Sequence, residues 1–161
     1  METIHKELTV SVLKKVAALA VVALLMAFGV AESKERGRGM QEGMISGLVG
    51  DVRIPPATSD YFNGLYRRNK PEIRQLIDDN PTMVWESLNL VLEALPALKA
   101  VGQNGGVLRL SSRLYQKTDR LFAQYEALAS PKLSSDMGKA RRYIESRVKE
   151  NRNGLVAVDL N

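Results

Sequence analysis

VLRLSSRLYQKTDRLFAQYEALA, residues 107–129, decides how the chain is read, because its apolar positions recur at a helical period over a long run. At 100° per residue, Val107, Leu110, Leu114, Leu121, Tyr125 and Leu128 fall within about 60° of arc. Leu108, Tyr115 and Phe122, spaced by seven, widen that face. The spacing predicts one amphipathic helix over 107–129, ended by Ser130-Pro131 and set off upstream by the GQNGG break at 102–106.

On the N-terminal side of that break, Asn80-Pro81 is a start signal, with Asn as cap and Pro in the first turn. The helix it opens carries Val84, Trp85, Leu88, Val91, Leu92, Leu95, Leu98 and Val101. Pro96 is expected to kink it or end it near Leu95, because the ring removes a donor and crowds the preceding turn. Before it, Thr58, Ser59 or Asp60 caps a short helix bearing Tyr61, Phe62, Leu65 and Tyr66, and Pro71 opens another with Ile73, Leu76 and Ile77. Downstream, Ser134, Ser135 or Asp136 caps a last helix whose inward face is Met137, Ala140, Ile144 and Val148, stopped by Asn153-Gly154. The LVAVDL of 155–160 reads as a short extended segment that pairs with residues 51–54.

VAALAVVALLMAFGVA, residues 16–31, has no charged or strongly polar side chain. As a helix it spans about 24 Å against a hydrocarbon core of roughly 30 Å. Lys14 and Lys15 precede it, and Gly29-Val30-Ala31 places small residues where a signal peptidase reads. The run is expected to export the residues after it, as a signal peptide cleaved after Ala31 or as a retained inner-membrane anchor. Residues 32–56, ESKERGRGMQEGMISGLVGDVRIPP, read as a flexible glycine-rich connector, and the small-residue spacing Gly39, Gly43, Gly47 follows from that composition. The expected organisation is thus 1–31 signal peptide or anchor, 32–56 linker, and 57–161 helical bundle. The fold class is all-α: an N-terminal apolar helix, a connector, then a compact bundle of about five helices with room for a short C-terminal strand.

Composition excludes a good deal of chemistry. The chain has no cysteine, and its one histidine, His5, precedes the apolar run. Thiol catalysis, disulfide frameworks, cysteine–zinc sites and Ser-His-Asp triads therefore have no material beyond that run. The candidate acids Glu72, Glu86 and Glu93 lie on separate faces or turns. Asp78-Asp79-Asn80 joins a helix exit to an entry, and Gly102–Gly106 lacks the lysine of a phosphate loop. Trp85, Tyr61, Phe62 and Tyr66 read as core. No catalytic residue, cofactor or metal site is expected.

The net charge of +5 is concentrated in residues 102–161, where eleven Lys/Arg stand against six Asp/Glu. Arg109, Arg113, Lys117 and Arg120 gather within about 80° of one helical side. Like charges four apart cost about 0.2–0.5 kcal/mol per pair, so such a stripe is not there for helix stability alone. With Arg141 and Arg142 it is the candidate partner-binding face, for an acidic protein surface or an anionic lipid or glycan. No nucleic-acid-binding motif appears. The leading expectation is a non-catalytic exported domain of the bacterial cell envelope that docks an acidic partner. The alternatives are a single-pass accessory subunit of a membrane complex, anchored by residues 16–31, and an enzyme acting on an envelope polymer. The solvated reading of the stripe has its charges meeting Asp119, Glu126, Glu145 or acids of the middle segment.

Overall fold

The computed structural model describes residues 52–161. The apolar run 16–31 and the connector up to residue 51 lie outside the described residues. In chain order the elements are α1 (Pro56–Asp79), α2 (Pro81–Ala100), β1 (Val107–Ser111), α3 (Ser112–Leu128), α4 (Pro131–Ser146), β2 (Val148–Arg152) and β3 (Leu155–Asp159). The described residues are mostly helical, but the all-α expectation is corrected: four helices pack with a three-stranded antiparallel sheet of order β1-β3-β2.

The stretch 107–129 divides at its two serines. Ser111 is extended (φ −61°, ψ 146°), and its hydroxyl accepts from the Leu114 amide at 3.1 Å, capping α3. Residues 107–111 form the strand, with Leu108 and Leu110 buried and Arg109 and Ser111 exposed, the alternation a one-sided sheet requires. Its partner is β3, in the register Leu108↔Val158 and Leu110↔Val156, so the buried side chains of both strands share the face turned to the helices. The expected pairing of 155–160 with 51–54 is therefore corrected. Val52 and Ile54 are irregular chain laid against the core.

Asn153-Gly154 is not a helix stop either. Both residues have positive φ (53° and 74°), as a two-residue type I′ turn requires, and they join β2 to β3. Val148, expected on the inward face of the last helix, stands instead on β2 opposite Val158, next to a bulge.

Residues 56–79 run as two helical segments joined end to end across a kink at Asn69 (φ −124°, ψ 18°), the two helices expected on either side of Pro71. Pro71 has no amide hydrogen and crowds the turn before it, which is why the irregularity falls there. Asn69 is fully buried, and its Nδ2 donates to Leu65 O at 3.0 Å and to Asp136 Oδ2 on α4 at 2.7 Å. Lys132 Nζ, also on α4, donates to Arg68 O at 2.6 Å. The start of α4 thus supplies partners for a backbone that the proline disrupts.

Several helix ends depart from expectation. Thr58 does not cap α1; it is buried, donates to Leu160 O and meets the Tyr143 hydroxyl at 3.3 Å. Asn80 precedes Pro81 as expected, yet its Nδ2 serves Leu76 O of the preceding helix. Ser130, ahead of Pro131, caps α4 through the Leu133 amide, a turn earlier than the expected serines. Pro96 neither ends nor splits α2. Its ring lies on the exposed side, where the carbonyl left without a donor faces water and the turn can open outward.

The core is one cluster to which the four helices, β1 and β3 contribute buried residues, with Val148 of β2 packed against it. Phe62, Phe122 and Tyr125 are its largest fully buried side chains. Tyr125 keeps its polar tip by meeting Ser87 Oγ at 3.1 Å, and the loss of water there pushes its phenol pKa well above the ordinary value, with Ser87 partly opposing. α2 and α3 run antiparallel: Ser87 meets Tyr125 and, two turns on, Glu93 meets Lys117.

Candidate functional site

α3 positions three of the expected cations together. Arg113, Lys117 and Arg120 follow one another at helical spacing on one flank, where Lys117 and Arg120 line a groove beside α2 and Arg113 is exposed about one turn before them. The capped start of α3 and its buried side (Leu114, Thr118, Leu121, Phe122, Tyr125) fix that flank rigidly. Arg113 and Arg120 are exposed and have no ion-pair partner among the described residues. Lys117 reaches Glu93 Oε2 of α2 at 3.6 Å, an exposed pair that orients the lysine more than it stabilises the fold.

The remaining three cations stand elsewhere. Arg109 is on β1, not on a helix, so its place in a single helical stripe is corrected; it points from the exposed face of the sheet. Arg141 is neutralised. It makes two hydrogen bonds to Asp119, at 2.8 and 2.7 Å, and lies within 4 Å of Glu126 and Glu145. The Asp119 hydrogen bonds, more than any other contact, hold its guanidinium pKa above the ordinary value. Asp119 is two residues beyond Lys117, so it projects from the opposite flank of α3. Arg141 therefore belongs to the α3–α4 seam, and the solvated reading of its charge holds for this residue. Arg142 is exposed on α4 with no ion-pair partner among the described residues, its charge felt by Tyr61 of α1.

Opposite the basic flank runs an acidic one. Glu86 and Glu93 line, with Asn89, the α2 wall of a groove of about 310 Å³; Lys117, Arg120 and Gln124 line its α3 wall. Leu90 and Leu121 form its floor. The seven-residue spacing of Glu86 and Glu93 returns them to nearly the same side of α2, about 10.5 Å apart along the axis. That spacing is the one signal for the acidic wall in the sequence, and the dense apolar pattern of the same helix masks it. Glu72 is separate, on α1, and pairs with Lys132 at 3.6 Å.

Other sequence candidates resolve as structure. Phe62 and Tyr66 are buried, and Tyr61 stacks on Tyr143 with ring centroids 4.2 Å apart. Trp85, expected in the core, is 48% exposed on α2. The Gly102–Gly106 segment is a turn held by the C-terminal residues: Leu160 N donates to Gly106 O, and Asn161 Nδ2 to Gly105 O. Asp79 accepts from Gln75 on its own helix. Among the described residues no group of three His, Cys, Asp or Glu side chains is placed to hold a metal, and no helix is long and apolar enough to cross a membrane. Comparison of the chain with protein-family models, with curated proteins and with solved structures finds no match.

Proposed function

We propose that this chain is a non-catalytic exported domain of the bacterial cell envelope that docks an acidic partner through the basic flank of α3. The observation that carries the proposal is the pair Arg113 and Arg120, exposed on one side of a rigid helix with no acid within ion-pair distance among the described residues. Unneutralised guanidinium groups on a fixed flank cost self-repulsion in the free domain, and an acidic surface removes that cost over a Debye length of about 8 Å. Export rests on the apolar run 16–31 and its flanking lysines.

The test compares two charge-reversal pairs of equal net charge in the full chain. Arg113→Glu with Arg120→Glu removes the flank; Arg67→Glu with Arg142→Glu removes two exposed cations on other helices. Binding to phosphatidylglycerol-containing vesicles is measured against salt. Each cation near an anionic surface contributes about 1 kcal/mol, so losing two weakens binding roughly 30-fold; the first variant, which also adds two carboxylates, should fall by at least that much and the second by much less. Equal losses in the two variants would show a response to net charge alone and refute the docking flank.

A further inference from the structure

α2 carries more apolar surface than its core-facing side uses. Trp85 (48% exposed) and Leu92 (39%) stand on its outward side. Leu128 (55%), at the end of α3, lies near the level of Trp85, because the antiparallel pairing sets Ser87 beside Tyr125. Beside Trp85 and Leu92, two rows of charge face each other across the groove: Glu86 and Glu93 on α2, and Lys117 and Arg120 on α3, with Arg113 about one turn before Lys117. A face acidic along one half and basic along the other is complementary to itself under a two-fold rotation.

We infer that the α2–α3 face docks a second copy of the chain, so that the acidic partner of one copy's α3 is the α2 flank of the other. This deepens, and rests on, the docking role proposed for the basic flank. A two-fold axis lying along the groove sets α2 of one copy over α3 of the other at the same height. Glu93 then meets Arg120 and Lys117 of the second copy, and Trp85 meets its Leu128, each contact occurring twice. An axis across the groove would set α2 on α2 and acid on acid, so the charge pattern selects the first arrangement. The four helices brought together in this way form a bundle-type packing.

The size of the face fixes the expected strength. α3 from Arg113 to Leu128 is about 22 Å long, and two neighbouring helices are about 20 Å wide, giving on the order of 400 Å² in plan. With side-chain relief, a pair of such faces falls near the lower bound of about 1,000–1,200 Å² for specific interfaces. The dimer is therefore reversible and sensitive to salt.

The absence of cysteine from the chain makes a direct test available. Gln124 lines the groove beside the proposed axis, whereas Arg142 is exposed on α4. The full chain carrying Gln124→Cys should form a disulfide-linked dimer on mild oxidation, and the chain carrying Arg142→Cys should not. Adding Glu93→Arg or Arg120→Glu to Gln124→Cys should each cut the dimer yield at least tenfold, and adding both should restore it. Circular dichroism of each variant checks that the fold persists; Arg120, which has no ion-pair partner among the described residues, is the substitution least able to disturb it. Cross-linking of Gln124→Cys no faster than Arg142→Cys overturns the inference. A monomer whose vesicle binding still depends on Arg113 and Arg120 overturns the dimer and leaves the docking role standing. A monomer indifferent to those substitutions overturns both.

Discussion

Replacing Asn69 with Ala tests whether the break in α1 is held from outside the helix. The substitution removes two hydrogen bonds from a fully buried amide: 3.0 Å to Leu65 O and 2.7 Å to the Asp136 carboxylate. A bond to a charged group contributes about 1.5–3 kcal/mol and a neutral one about 1 kcal/mol. One term offsets the loss: Asn69 Oδ1 is buried without a partner, so its removal relieves a cost. The net expectation is a destabilisation of about 2 kcal/mol, a fall in Tm of about 10 °C for a domain of this size. The effect must also depend on pH. Asn69, ahead of Arg68 and Lys139 and against the opposing effect of desolvation, holds the Asp136 carboxyl below its ordinary range. A carboxyl depressed in the folded state stabilises fully above its unfolded pKa, near 3.9, and loses that contribution as pH falls through the folded value. The penalty of Asn69→Ala should accordingly be largest near neutrality and shrink below about pH 4. Urea unfolding of both proteins, followed by circular dichroism from neutral pH to pH 3, reads both quantities. A penalty under about 0.5 kcal/mol at neutral pH, the range of an ordinary surface substitution, would refute the reasoning. So would a penalty that stays constant through the acid range.

Two further perturbations probe the other seams. Tyr125→Phe removes a hydroxyl 3.1 Å from Ser87 Oγ, which keeps its bond to Met83 O, so the loss should be about 1 kcal/mol in the same unfolding assay. Because burial raises the Tyr125 phenol pKa, stability from its neutral form is complete below the unfolded value near 10 and is lost as pH rises toward the folded one. Its phenolate absorbance should therefore appear in alkali only together with loss of helical circular dichroism. Arg141→Ala leaves Asp119, Glu126 and Glu145 without their shared cation, yet the site is partly solvated, so the expected cost is about 1 kcal/mol and falls in high salt. Arg142→Ala should cost under about 0.5 kcal/mol, and a larger effect there than at Arg141 would contradict the assignment of the α3–α4 seam.

How far the chain can be read in advance differs from element to element, for physical reasons. The helical faces Leu114–Leu121–Tyr125, Met137–Ala140–Ile144 and Val91–Leu95–Leu98 are legible because a 3.6-residue period needs only one consistent side against a core. Helix ends are less legible. Thr58, Asn80 and Ser130 are all chemically able to cap, and which of them does so depends on what lies across from it: Leu160 O for Thr58, Leu76 O for Asn80. Of the six cations named from sequence, Arg113, Lys117 and Arg120 stand on one helix at the spacing that puts them on one flank. Helical spacing does not place Arg141 in the α3–α4 seam or Arg142 toward Tyr61 of α1, because the rotation of one helix against another is set by packing. The acidic wall across the groove from Lys117 and Arg120 is hidden by the same limit.

The strand at 107–111 shows why one strong periodicity can conceal another. Val107 and Leu110 share a helical side with Leu114, so the helical pattern extends backward through them without contradiction. A strand buries alternate residues instead, and the observed inward pair is Leu108 and Leu110, with Val107 only half-buried. Five residues cannot decide between the two periods. What decides is where backbone groups find partners. Ser111-Ser112 offers a cap that lets α3 begin without the preceding turn, as the Ser111–Leu114 contact shows. Asn153-Gly154 offers a turn that folds two short segments into a hairpin, giving β3 one partner in β2 and leaving its other edge open. An open central strand is costly, and residues 107–111, released from the helix by the serine cap, are placed to fill it. The strand is thus specified by a turn more than forty residues away. Its outcome reaches the candidate site: by starting the helix at Ser112 it takes Arg109 away from the α3 flank and leaves Arg113 as the first exposed cation of that flank.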